Sequence, residues 1–273
     1  MTLNIRDLTP RIATEIRADK ATLLGGEYGS KIRELLEQRG VLVFPQINFT
    51  DEEQVAFTKT LGTFAAELEG GEIYKVTLDT KANAKADYLK GSLYWHIDGT
   101  MNKVPILASI LSAKSLSKIG GDTDFCNTYA AYDDLPEDEK RELADLRVMH
   151  SAWTSLFYYD PEPNYQLLSG MMAIGDQELP LVWKHQSGRK SLVLGCTAHH
   201  VVEMDYRQST KLLVRLREWS TQQQFVYRHK WTVGDLVIWD NTGTMHRATP
   251  YDANSGRMMH RTKLQGEEAF AYA

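Results

Sequence analysis

The segment Ser92-Leu-Tyr-Trp-His96-Ile-Asp98-Gly-Thr100 sets an imidazole and a carboxylate two residues apart. Alternate side chains of a strand point the same way, so His96 and Asp98 can face one centre while Ile97 packs behind them. Gly99 lets the chain turn away without crowding that centre. One imidazole nitrogen and one carboxylate oxygen are two of the three donors of a non-haem iron site. Such a site takes a second histidine on the same octahedral face and leaves three positions open. His-x-Asp is a weak pattern by itself, so the second histidine decides the matter. Eight histidines are present, at 96, 150, 185, 199, 200, 229, 246 and 260. His246 ends Asp235-Leu-Val-Ile-Trp-Asp-Asn-Thr-Gly-Thr-Met-His246, a strand and turn that deliver it to the strand ends. The rival pair, His199 and His200, is adjacent in sequence. Neighbouring strand residues face opposite sides, so that pair makes a poor clamp and reads as a loop or surface pair.

A second constellation lies at Arg257-Met-Met-His-Arg261. Period-two geometry sends both guanidinium groups to one face and His260 to the other. Two arginines facing one interior call for an anion, because an unpaired buried charge is costly; the alternative is that this face is solvated. A dicarboxylate chelating the metal at one end would supply it, with Arg257 gripping the far carboxylate through two parallel hydrogen bonds. Gly120-Gly-Asp-Thr123 reads as a turn entering a strand, with Thr123 projecting inward as a hydroxyl partner.

These groups need rigid elements to hold them. Ile32, Leu35 and Leu36 fall at helical spacing, with Gly40 where that helix would end. Val41-Leu-Val-Phe-Pro45 reads as a buried strand, and Thr50-Asp-Glu-Glu53 as a capping box opening a helix that stops near Gly62. Residues 66–91 are polar and weakly patterned, which predicts a loop ahead of the first motif. Strand-like runs follow at 106–111, 147–151, 179–183, 191–195, 225–231, 235–239 and 257–264, with a helix over 205–223. Many short strands with few helices predict a β-sandwich or barrel, and the 273 residues, without repeat or linker, predict a single domain over 1–273.

Hydrophobic residues make up 42% and charged residues 25%, an ordinary globular balance. The net charge of −5 offers no basic field for nucleic acid. No apolar run is long enough for a signal peptide or a membrane span. Cys126 and Cys196 are the only cysteines, too few for a disulfide framework. A cytoplasmic location, with no nucleic-acid or membrane partner, is therefore expected.

His96-Ile-Asp98, Gly120-Gly-Asp-Thr123, Trp239-Asp-Asn241, His246-Arg-Ala248 and Arg257 through Arg261 together resemble the taurine/2,4-dichlorophenoxyacetate dioxygenase family, the TauD/TfdA-like enzymes. They do so in order and spacing over roughly residues 35–266. The resemblance implies a double-stranded β-helix, that is a jelly roll or cupin-like fold, mainly β with flanking helices. It implies Fe(II), with 2-oxoglutarate and O2 as co-substrates. By motif position His96, Asp98 and His246 match the iron ligands, and Thr123 and Arg257 the pair on the distal carboxylate of 2-oxoglutarate. Arg261 matches an arginine that contacts the acidic group of the substrate or lies near the keto-acid end. The carboxylate at Asp98 argues against the related halogenases, where a small residue leaves room for halide. The implied reaction oxidises an unactivated C–H bond of a small organic substrate, releasing succinate and CO2. Arg261 favours an anionic substrate. Desaturation, cyclisation or another oxidative tailoring step stays open as the outcome, as does a differently metallated or non-catalytic β-barrel. The loop carrying Glu67, Glu69, Glu72, Tyr74 and Lys75, and the aromatic run from Ala152 to Tyr159 with Trp153 and Phe157, are candidate substrate walls. A dimer or tetramer is expected from the family.

Overall fold

The computed structural model describes residues 2–67 and 71–272; Glu69 lies outside them. Val41–Phe44 and Leu236–Asp240 are buried at every position, as strands covered on both faces must be. The strands in chain order are β1 (Asn4–Asp7), β2 (Thr14–Arg17), β3 (Val41–Phe44), β4 (Tyr74–Val76) and β5 (Ala108–Ser115). Then come β6 (Thr123–Asn127), β7 (Arg147–Ser151), β8 (Asp176–Pro180), β9 (Val182–Lys184) and β10 (Lys190–Leu192). The last are β11 (Ala198–Val201), β12 (Val226–His229), β13 (Leu236–Asp240), β14 (Thr244–Ala248) and β15 (Met258–Leu264). The major sheet runs β1-β2-β3-β13-β5-β15-β4, and a second runs β12-β6-β14; β11-β7-β8 and β10-β9 form two smaller sheets.

Alternation along the central strands divides the core into layers. Val43, Leu111, Val237 and Met259 face Phe125 of the second sheet, and Phe125 meets Trp239 with ring centroids 5.5 Å apart. Their neighbours Leu42, Phe44, Ile110, Leu236 and Ile238 turn the other way, onto helices Gly29–Arg39 and Asp51–Leu61. Behind the second sheet, Cys126 and Met245 pack with Leu213 and Leu216 of helix Tyr206–Ser220. Two β sheets face to face with helices outside are the jelly roll that the motif order implied. The capping box at Thr50 is complete: Thr50 Oγ1 accepts from the Glu53 backbone, and the Glu53 side chain accepts from the Thr50 backbone.

Part of the expected loop over 66–91 is ordered differently. β4 adds to the sheet edge by pairing with β15, and Ala86–Leu89 forms a short helix. Three residues are too few for alternation to show, so β4 owes its form to its partner strand. Helix Thr128–Asp133 buries five of its six residues and therefore carries no amphipathic stripe to read. Among the described residues no helix is long and apolar enough to cross a membrane.

Candidate metal centre and active site

His96 and His246 stand directly opposite each other across an antiparallel bridge. Each backbone N–H donates to the other's carbonyl, at 3.0 Å from His96 and 2.9 Å from His246. A directly opposed pair sends both side chains to one face, and the two imidazole centroids lie 4.0 Å apart. Asp98 follows two residues on, with Oδ1 at 3.7 Å from His96 Nε2 and Oδ2 at 3.8 Å from His246 Nε2. One ligand atom from each of the three residues lies within 4.8 Å of the others. An ion with bonds of ~2.1 Å draws neighbouring donors to ~3 Å, so a small inward movement of these side chains completes the shell. Gly99 makes the following turn possible: its φ is +84°, and a Cβ there would stand 2.8 Å from the Ile106 nitrogen.

The protonation states suit a cation. His96 Nδ1–H donates to the Tyr94 carbonyl at 2.8 Å, which leaves the Nε2 lone pair toward the centre. Burial first, and then the neighbouring His96, pushes His246 down to about 3, so its imidazole is neutral. Burial opposes ionisation of Asp98. The electrostatic pull of the His246 side chain, then of Arg261 and His96, with a Ser109 hydrogen bond, outweighs it and holds the carboxyl well below its usual range. Two imidazoles and one carboxylate converging on a point fit iron(II). Only motif spacing pointed to these three; the support beneath them is visible in the structure alone. Ser109 Oγ donates to Asp98 Oδ2 at 2.6 Å, Asn241 Nδ2 donates to Ser109 Oγ at 3.1 Å, and Trp239 Nε1 donates to Asn241 Oδ1 at 3.0 Å. Trp239 also packs its ring 4.6 Å from that of His246.

Thr123 lies two residues before Phe125, the cross-strand partner of His246, and so shares the inner face. Its hydroxyl accepts from Trp231 Nε1 at 2.9 Å. Arg257 is 3% exposed, stacks 4.6 Å from the Tyr251 ring, and donates through Nη2 to the Gly121 carbonyl at 3.1 Å. Burial pulls this guanidinium below its ordinary range, and its Nε has no hydrogen-bond partner among the described residues. An unpaired buried arginine N–H fits the carboxylate of a bound keto acid.

Arg261 sits on the same inner face, with Nη1 4.0 Å from Asp98 Oδ2 and its guanidinium 4.9 Å from the Tyr74 ring. Its Nη2 reaches both oxygens of Glu67 at 3.4 Å, and Glu67 also accepts from Lys263 at 2.8 Å. Lys263 carries no motif signal. His260 takes the opposite face, hydrogen-bonded to Asp51 at 2.8 Å. Tyr74 thus joins the site, while Lys75, its neighbour on β4, is exposed on the other side of the pleat. Trp153 contacts Phe157 and His199 rather than the metal donors, and Phe157 is 43% exposed. Both belong to a turn, Ala152–Tyr158, that packs on helix Tyr165–Met172. Tyr88, not singled out by any motif, has its phenol pushed up by burial and then by the Asp98 charge.

The chain matches the family described as "Taurine catabolism dioxygenase TauD, TfdA family" over residues 4–263. It is 35% identical to an alpha-ketoglutarate-dependent 2,4-dichlorophenoxyacetate dioxygenase of Burkholderia sp. (strain RASC), covering 97% of this chain and 95% of that one. It is 30% identical to an alpha-ketoglutarate-dependent sulfate ester dioxygenase of Pseudomonas putida, covering 97% and 90%. The crystal structure of AAD-2 in complex with Mn(II) and N-oxalylglycine superposes with a TM-score of 0.85 at 31% identity, covering 99% of this chain and 100% of that one. Fold, donor geometry and sequence agree, and the chain belongs to the TauD/TfdA family of dioxygenases.

Proposed function

We propose that this enzyme oxidises an unactivated C–H bond of a small organic anion, using Fe(II), O2 and 2-oxoglutarate and releasing succinate and CO2. The observation that carries the reading is the convergence of His96, Asp98 and His246 beside two inward-facing arginines. His96, Asp98 and His246 would hold the metal, which when bound supplies the O2 chemistry and a site for chelation by the keto acid. Arg257 would grip the distal carboxylate of 2-oxoglutarate through its free Nε edge, with Thr123 offering its hydroxyl beside it. Arg261 would meet the acidic group of the substrate, loosening its long contacts to Glu67. Tyr74 would bound the pocket under that guanidinium. The relatives named for a phenoxy acid and a sulfate ester support an anionic substrate. The inner layer of Phe125, Trp239 and Met259 keeps water from the buried side of the centre.

The test is an anaerobic titration with Fe(II) and 2-oxoglutarate, followed by a screen of aryloxy acids, sulfonates and sulfate esters scored by succinate release. Product mass separates hydroxylation from desaturation or cyclisation. His96→Ala or Asp98→Ala is expected to abolish turnover, and wild-type turnover in either variant would refute the ligand set. The same proposal places the protein in the cytoplasm as a homo-oligomer, dimer or tetramer. The two free, buried cysteines are in keeping with a reducing compartment. Apolar side chains exposed on the Ala152–Tyr158 turn and helix Tyr165–Met172 offer a face for self-association, which sedimentation would measure.

A further inference from the structure

Behind the metal-bearing strands, on the face opposite the imidazoles, lies a cavity of about 280 Å³ lined by Trp95, Tyr158, Cys196, Arg217, Thr221 and Arg247. Its position follows from the pleat: Trp95 and Arg247 are the chain neighbours of His96 and His246 and therefore point the other way. The Arg247 guanidinium lies 4.7 Å from the Trp95 ring, which fixes its plane.

Charge around the cavity is unbalanced. Arg247 donates to Asp124 at 3.1 Å, but the same carboxylate already accepts two bonds from Arg228, at 2.6 and 2.9 Å. Arg217, on helix Tyr206–Ser220, donates at 3.0 Å to the Tyr158 hydroxyl and has no ion pair among the described residues. Among the described residues no carboxylate lines the cavity. Burial pushes the Cys196 thiol up to about 12, so it adds no negative charge. A second cavity of about 180 Å³ shares Tyr158 and Arg217 as a wall and continues onto Leu194, Ala198, Leu213 and Val214. One end is cationic, and the adjoining end sets these apolar side chains beside Thr154, His199 and Thr210.

We infer that this cleft is a second ligand site, separate from the metal centre, that takes a small amphipathic anion. An oxyanion head, carboxylate or sulfate, sits between Arg217 and Arg247, and a short apolar tail lies on Leu213 and Val214. The head gains charge-assisted bonds from guanidinium groups that lack a full complement of carboxylates. The volume is many times what one water needs.

The experiment is calorimetric titration of hexanoate into protein loaded with Mn(II) and 2-oxoglutarate, so that Arg257 is occupied, with hexan-1-ol as the neutral control. The Arg261→Ala variant, which removes the anion partner at the metal centre, is expected to keep binding hexanoate. Adding Arg217→Ala to it should weaken binding roughly ten- to hundredfold, the loss expected for hydrogen bonds to a charged group. Arg217 is partly exposed on a helix, where alanine is well tolerated. Arg217→Gln serves should the alanine variant fail to fold. Loss of binding in Arg261→Ala alone would put the anion in the active site and overturn the inference. So would equal binding of hexan-1-ol, undiminished binding after Arg217 is replaced, or no binding at all.

Discussion

Removing the Ser109 hydroxyl tests whether the buried chain beneath Asp98 serves the metal or only the fold. Ser109→Ala deletes a 2.6 Å hydrogen bond to an ionised carboxylate and strips Asn241 Nδ2 of its acceptor. A hydrogen bond to a charged group contributes about 1.5–3 kcal/mol, and an orphaned buried donor costs about 1–3 kcal/mol. Ser109 and Asn241 are fully buried, so water does not readily replace the acceptor that Asn241 loses. Loss of a group that orients a metal ligand characteristically costs about ten- to hundredfold in affinity. The assay is anaerobic titration of metal-free protein with Fe(II) against a competing chelator, run beside urea unfolding of the same samples. Ser109→Ala should raise the Fe(II) Kd by that factor, and Ser109→Thr, which restores the hydroxyl, should recover most of it. An Fe(II) Kd within twofold of wild type, alongside a clear loss of stability, would refute the positioning role and leave the chain a purely structural device.

Three further outcomes follow from other parts of the structure. Gly121→Ala puts a Cβ 2.8 Å from Arg257 Nε at a φ of +80°, so 2-oxoglutarate affinity should fall about tenfold or more while Fe(II) affinity holds; equal loss of both would show general disruption instead. Glu67→Gln leaves Arg261 and Lys263, 18% and 12% exposed, without their shared counter-charge. Urea unfolding should show a loss of about 1–2 kcal/mol, partly recovered in high salt. His150 is buried, and desolvation lowers it from 6.5 to about 4. The folded state therefore binds its proton less readily than the unfolded chain does. Its stability is intact above pH ~6.5 and declines by up to about 1.4 kcal/mol per unit as pH falls toward 4. His150→Gln should flatten that segment of the stability profile, and an unchanged slope would show that other groups govern it.

How much of this was legible in the residues depends on the range of the signal. The helix Asp51–Leu61 announces itself locally, through Thr50 and Glu53, and its ends came out where those residues put them. The spacing of His96 and Asp98, and of Arg257 and Arg261, suggests strand periodicity, but only Arg261 lies in a strand: His96 stands on an isolated bridge, Asp98 in the turn after it, and Arg257 just ahead of β15. Ser109 gives no such signal, being one of three serines in the strand Ala108–Ser115. Its meaning comes from register, since it stands opposite Trp239 on β13. Glu67 was noticed only as one acid among several in a loop. Its bond to Arg261 depends on how the chain before β4 meets the edge of the major sheet, which no local pattern encodes. Lys75 illustrates the converse: proximity in sequence to Tyr74 suggested a shared role, and the pleat separates them.

The bridge between His96 and His246 makes the metal a witness to assembly. Both imidazoles ride on backbone that pairs only after most of the intervening chain has found its place, so a high-affinity ion site cannot exist in a half-built intermediate. A slip of one position in that pairing would leave the two rings on opposite faces. Metal uptake by refolding protein should accordingly lag behind recovery of secondary structure, and every chain that holds the ion tightly will be one whose two sheets have already closed.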